Sequence, residues 1–177
     1  FYLISFFFYI DGVYTIIDMA TAYGTSLGLN TTGLLLALLL TQIVAFPASL
    51  TFAVLSKTKD TASLIKVAII AYFLIALFAV QLDKQWEFWI LAVAVGCFQG
   101  GIQALSRSYF AKIIPENASG EYFGLFDICG KGASFLGTML IGVVTQITGK
   151  QNLGVAALSI MFVIGYLIFN KVSKMDD

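Results

Sequence analysis

Long apolar runs, interrupted by short polar clusters, set the pattern of this chain. Residues 19–56 carry no charged side chain. A helix needs about 20 apolar residues to span a bilayer, so this run is too long for one span. The cluster GLNTTG at residues 28–33 divides it, because Gly, Asn and Thr favour turns. Read this way along its length, the chain predicts helices over about 1–28, 32–55, 63–82, 86–112, 121–148 and 152–171. Trp86 and Trp89 stand at the start of the fourth, where indole rings suit a membrane interface. IPENASGE separates the fourth helix from the fifth; Ser119 is placed to cap the fifth, and Glu121 to meet the positive end of its dipole. The predicted fold is an all-α membrane bundle, with no length left for a soluble domain.

Polar residues fall on some of these helices and avoid others. The first carries Asp11, Thr15 and Asp18 on one face, and the second Gln42 and Ser49. The fourth carries Gln99, Gln103 and Ser106, with Arg107 beside them. The fifth carries Asp127, Lys131, Ser134, Thr138 and Thr145. The third and sixth have little beyond Tyr72, Ser159 and Tyr166, and read as lipid-facing. The order polar, polar, apolar thus occurs twice, a three-plus-three pattern found in inverted-repeat transporter halves.

Composition agrees and removes several function classes. Hydrophobic residues make up 59 % and charged residues 11 %, against about 25 % charge in soluble domains; mean hydropathy is +0.92. Formal net charge is +0, so bulk electrostatics offers nothing to nucleic acid. The absence of His removes imidazole metal sites, Ser–His–Asp triads and imidazole proton relays. Cys97 and Cys129 read as small packing residues. No cofactor or metal is expected. Lys57, Lys59, Lys66, Arg107, Lys112, Lys171 and Lys174 flank one set of helix ends, and only Lys84 and Lys150 the other. The positive-inside rule then places the second-to-third loop, the fourth-to-fifth loop and the C-terminus in the cytoplasm. A multi-pass protein of a bacterial inner membrane is expected.

A carboxylate at mid-bilayer costs about 2.5–3.5 kcal/mol on insertion scales. Asp11 lies about 15 Å into the first helix at 1.5 Å per residue. Two readings suit it: substrate or proton coupling, or a structural carboxylate held by a neighbour. Asp18 is nearer the outer end and suits a wet cavity mouth equally well. Asp127 and Lys131 have the favourable order for an i,i+4 pair. Arg107 suits a gate or a headgroup anchor.

The stretches FYIDGVYTIIDMATAYGTSLGL, LLTQIVAFPASL and GCFQGGIQALSRSYFAKIIPENASGEYFGLFDICGKGASFLGTMLIG resemble the vacuole effluxer-like family of the major facilitator superfamily. QGGIQALSRSYFAKIIP is their most specific part. The resemblance implies the C-terminal six-helix half of a twelve-helix permease. Its first and fourth helices, carrying Asp11, Gln99, Gln103 and Arg107, would line a central cavity open alternately to each side. Family members are linked to amino-acid export. The loop LSKTKDTASLIK departs by lacking the superfamily's loop glycines, and Thr138 stands where relatives often show Pro.

The chain therefore reads as half of a secondary transporter that moves a small polar solute, with amino acids the first class to test and a proton as the coupling ion. Asp11, Tyr14, Thr15, Asp18, Gln99 and Gln103 are the candidate solute- or proton-binding residues. Arg107, Asp127 and Lys131 are the candidate gate or ion-pair residues. Expected partners are the lipid bilayer and either an N-terminal six-helix half or a second copy. One rival is a non-transporting scaffold or half-domain. An intramembrane aspartyl protease is a weaker one, because no Asp follows a Gly-x-Gly here and the dyad would need Asp11 and Asp127 in hydrogen-bonding reach.

Overall fold

A computed structural model describes residues 1–175. These form α1 (Tyr2–Ser26), α2 (Thr31–Leu55), α3 (Thr61–Ala79), α4 (Gln85–Ile113), a 3₁₀ turn (Glu116–Ala118), α5 (Ser119–Lys131), α6 (Phe135–Thr148) and α7 (Gln151–Ser173), with no strand among the described residues. Six segments are long and apolar enough to cross a membrane, α5 and α6 counting together as one of them. The all-helical, six-span architecture expected from the sequence is present.

Several helices begin where a side chain can take up the amides that a helix start leaves open. Asn30 Oδ1 accepts from the amides of Thr32 and Gly33 at the head of α2. Asp60 accepts from the amide of Ser63 at the head of α3. Glu87 accepts from the amides of Asp83 and Lys84 at the head of α4. The expected cap at Ser119 is not made. Ser119 is already the first residue of α5, and the N-cap position falls on Ala118, whose methyl side chain has no acceptor. Glu121 does occupy the first turn.

The fifth span departs most from expectation. One continuous helix was predicted over about 121–148, but α5 ends at Lys131 and α6 begins at Phe135. Ser134 stands between them at φ 73°, a left-handed conformation that disfavours a residue with a Cβ. Gly130 and Gly132 flank the break, each weakening a helix by about 1 kcal/mol relative to Ala. The break leaves the first amides of α6 without intrahelical partners, inside a segment long and apolar enough to cross a membrane.

Helix contacts are close. Ser5 Oγ donates to the Gly165 carbonyl at 2.7 Å, tying α1 to α7. Tyr72 of α3 stacks on Phe162 of α7. Gly96 and Gly100 give α4 a small-residue face for α2, a device membrane helices use to approach one another. A Cβ on Gly96 would lie 2.7 Å from the Thr41 carbonyl oxygen, and one on Gly100 would lie 2.8 Å from Ser49 Cβ. Thr41 Oγ1 donates to the Ala92 carbonyl across this seam.

At one end of the bundle the Tyr2 ring stacks on Phe110 and Lys112 Nζ donates to Thr61 Oγ1. At the other, Tyr23 Oη donates to the Ala79 carbonyl and the Asn30 amide to Gln85 Oε1. The start of α1, the α2–α3 loop and the end of α4 therefore share an end. The ends of α3 and α1 share the opposite one. α3 and α7 expose apolar residues such as Val67, Leu74, Val163 and Leu167. α2 and the α5–α6 span are the least buried, and show apolar stripes through Leu39, Ile43, Phe46 and Leu50 and through Phe135, Met139 and Ile147.

Filling the α2–α4 seam should destabilise the bundle. Gly96→Ile or Gly100→Leu is expected to cost about 1–3 kcal/mol, seen as a lower melting temperature of the full-length protein in detergent. Gly142→Ala, where an added Cβ meets nothing within 4 Å, should leave it unchanged.

Candidate functional site

A cavity of about 580 Å³ opens between α1, α2, α4 and α5. Tyr14 comes from α1 and Ser49 from α2; Gln103 and Arg107 come from α4, and Asp127 and Lys131 from α5. Spacing explains the convergence, because Gln103 and Arg107 are one turn apart on α4, as Asp127 and Lys131 are on α5.

Arg107 Nη1 donates to Asp127 Oδ1 at 3.3 Å. The Arg107 guanidinium also lies 5.0 Å from the centre of the Phe123 ring and 5.9 Å from that of Phe126. Phe126 in turn stacks on Phe6 of α1 at 4.1 Å and on Phe110 of α4 at 5.1 Å. An aromatic shelf thus carries the charged pair. Asp127 bonds across to α4 and not along its own helix: among the described residues its ion-pair partner is Arg107, and Lys131 closes no salt bridge with it. Both partners are half-exposed, with side chains 58 % and 49 % accessible. Ion pairs so open are worth about 0–1 kcal/mol, weak enough to exchange for a charged solute.

Asp11 lies elsewhere. It is fully buried at 0 % exposure and does not line the charged cavity. Its Oδ1 accepts from the Gly137 amide at 2.6 Å, and its Oδ2 from the Leu136 amide at 3.1 Å. Thr15 Oγ1 donates to Oδ1 at 3.3 Å. Asp11 and Thr15 are therefore brought together, at the head of α6. Asp18 is exposed. Gln99 is partly buried, and among the described residues its Oε1 has no hydrogen-bond partner. Asp11 and Asp127 share no hydrogen bond: each is taken by a different group.

Sequence reasoning missed the aromatic shelf of Phe6, Phe110 and Phe126. It also missed a buried polar knot beneath it. Tyr9 Oη and Ser106 Oγ lie 2.7 Å apart, Tyr2 Oη donates to the Ser106 carbonyl at 2.7 Å, and Ser106 Oγ donates to the Ile102 carbonyl. Two tyrosines seven residues apart on α1 were the available signal, since that spacing puts both on one face.

The family model for Atg22-like vacuole effluxers matches residues 1–175. The chain belongs to this family. It is 46 % identical over 167 residues to the MFS-type transporter YxiO of Bacillus subtilis, covering 94 % of this chain and 39 % of that relative. It is 35 % identical over 95 residues to autophagy-related protein 22 of Eremothecium gossypii, covering 54 % of this chain and 19 % of the relative. A third similarity, 37 % over 92 residues, is to the autophagy-related protein 22 of Candida glabrata, covering 52 % and 17 %. The chain spans well under half the length of these relatives. With its six spanning helices, this Atg22-like chain is an integral, multi-pass membrane protein.

A double-mutant cycle tests the weak pair. Arg107→Ala and Asp127→Ala in the full-length protein should couple by about 1 kcal/mol or less, measured by thermal unfolding in detergent.

Proposed function

We propose that this chain is the C-terminal six-helix half of a secondary transporter, moving a small solute that carries both charges, such as an amino acid, by alternating access. One observation carries the reading: a half-exposed Arg107–Asp127 pair, with Lys131 and Gln103, lines a large cavity inside an otherwise apolar bundle. Arg107 and Lys131 suit a solute carboxylate, and Asp127 suits its ammonium group or a transported proton. Tyr14 and Gln103 suit hydrogen bonds to the rest of the solute. Ionisable side chains within membrane spans are costly and mark solute and ion pathways. Asp127, which faces the cavity, serves this role better than Asp11, whose oxygens are already occupied.

The apolar stripes on α2 and on the α5–α6 span support a second six-helix half as the covering partner, with a second copy as the alternative. The basic residues at one end of the bundle support a cytoplasmic placement for that end and for the C-terminus.

The test uses the full-length protein in proteoliposomes with a panel of labelled amino acids, with and without a pH gradient. Uptake of at least one is expected. Arg107→Ala and Asp127→Asn should each lower it by about tenfold or more, equivalent to about 1.4 kcal/mol of lost interaction. Absence of uptake across the panel, or full activity in both variants, would overturn the proposal.

A further inference from the structure

We infer that Asp11 is a positioning residue of the transport machinery: from α1 it caps the head of α6, sets the break in the fifth span, and so holds α5 with Asp127 and Lys131 against the cavity. The inference rests on the transporter reading above.

The cap comes from another helix because α6 has none of its own. Ser134 occupies the N-cap position in a left-handed conformation and its side chain makes no cap bond. Asp11 supplies acceptors, through separate oxygens, to two consecutive amides of that first turn. An acidic group at a helix N-terminus is also favoured by the helix dipole. Gly137 is shaped to this contact. A Cβ there would run into Thr15 Oγ1 and come within 2.8 Å of Asp11 Oδ1, whereas Gly124, Gly130 and Gly142 on the same span face open space.

α1 grips the span on both sides of the break. Phe6 stacks on Phe126 of α5, and Asp11, little more than a turn further along α1, holds α6. Among the described residues Asp11 makes no ion pair. Its hydrogen bonds go to the α6 amides and to Thr15, so its contribution to transport is geometric: it fixes where α5 stops and therefore where Asp127 and Lys131 stand.

The test combines uptake with thiol labelling in the full-length protein. Ala133→Cys is placed at the break in a Cys97→Ala, Cys129→Ala background and labelled with a membrane-impermeant maleimide. Asn keeps one acceptor oxygen, enough for one of the two amides, and does not titrate, whereas Ala has none. Asp11→Ala is expected to raise the KM for uptake and the labelling rate by about fivefold or more, while Asp11→Asn, which still serves one amide, falls between Asp11→Ala and wild type in both and keeps the wild-type pH profile. Gly137→Ala, which keeps the carboxylate but crowds it, should shift KM and labelling in the direction of Asp11→Ala, and carries the test if that variant fails to insert. The inference is overturned if Asp11→Asn loses uptake or its pH dependence as completely as Asp11→Ala. It is equally overturned if labelling is the same in all variants. A wild-type protein that transports nothing would instead count against the transporter reading, and the labelling rates would still decide whether Asp11 caps α6.

Discussion

Asp11, buried within the bundle, meets the amides of Leu136 and Gly137 where α6 begins. Each unsatisfied backbone group in a membrane interior costs several kcal/mol, and an isolated carboxylate there is costly too. Put together, the acid and the open helix end remove each other's penalty. The rest of the arrangement depends on that exchange. It allows the fifth span to be two helices, and it allows Ser134 to keep its left-handed backbone. It also lets α5 run to Lys131 at an orientation that brings Asp127 to Arg107.

Polar chemistry is divided between two regions with opposite properties. The Asp11–Thr15 cap is sealed, with every carboxylate oxygen engaged. The Arg107–Asp127 pair is open, sits on aromatic rings, and is weakly held. A rigid sealed site suits support, and a loose charged site suits a ligand that must bind and leave. The glycine seam between α2 and α4 and the Tyr2–Tyr9–Ser106 knot between α1 and α4 make the wall of the cavity stiff. That stiffness leaves the α5 side of the wall, next to Gly124 and Gly130, as the part with room around its backbone.

Six spans, their approximate limits and the basic end of the bundle were legible from the chain, because apolar run length and charge placement are one-dimensional signals. The broken fifth span was not. Gly130 and Gly132 hinted at weakness, but the deciding partner, Asp11, is more than a hundred residues away, and no local pattern reports a cap donated across the bundle. The roles of the acids were obscured for the same reason. Depth and spacing made Asp11 the most conspicuous acid and made Asp127 look like half of an i,i+4 pair. Packing reverses that emphasis: Asp11 is enclosed by backbone donors, and Asp127 reaches another helix. Arg107 could be read as near a gate or an anchor, but its seat over Phe123 and Phe126 follows only from how α4 and α5 meet.

Residue-resolved hydrogen exchange of the full-length protein in nanodiscs tests the central claim most directly. If Asp11 caps a separate α6, the amides of Leu136 and Gly137 should exchange about tenfold more slowly than that of Phe135, and Asp11→Ala should erase the difference. Uniform protection from residue 131 through residue 137, unchanged by Asp11→Ala, would mean a continuous fifth helix and would contradict the account.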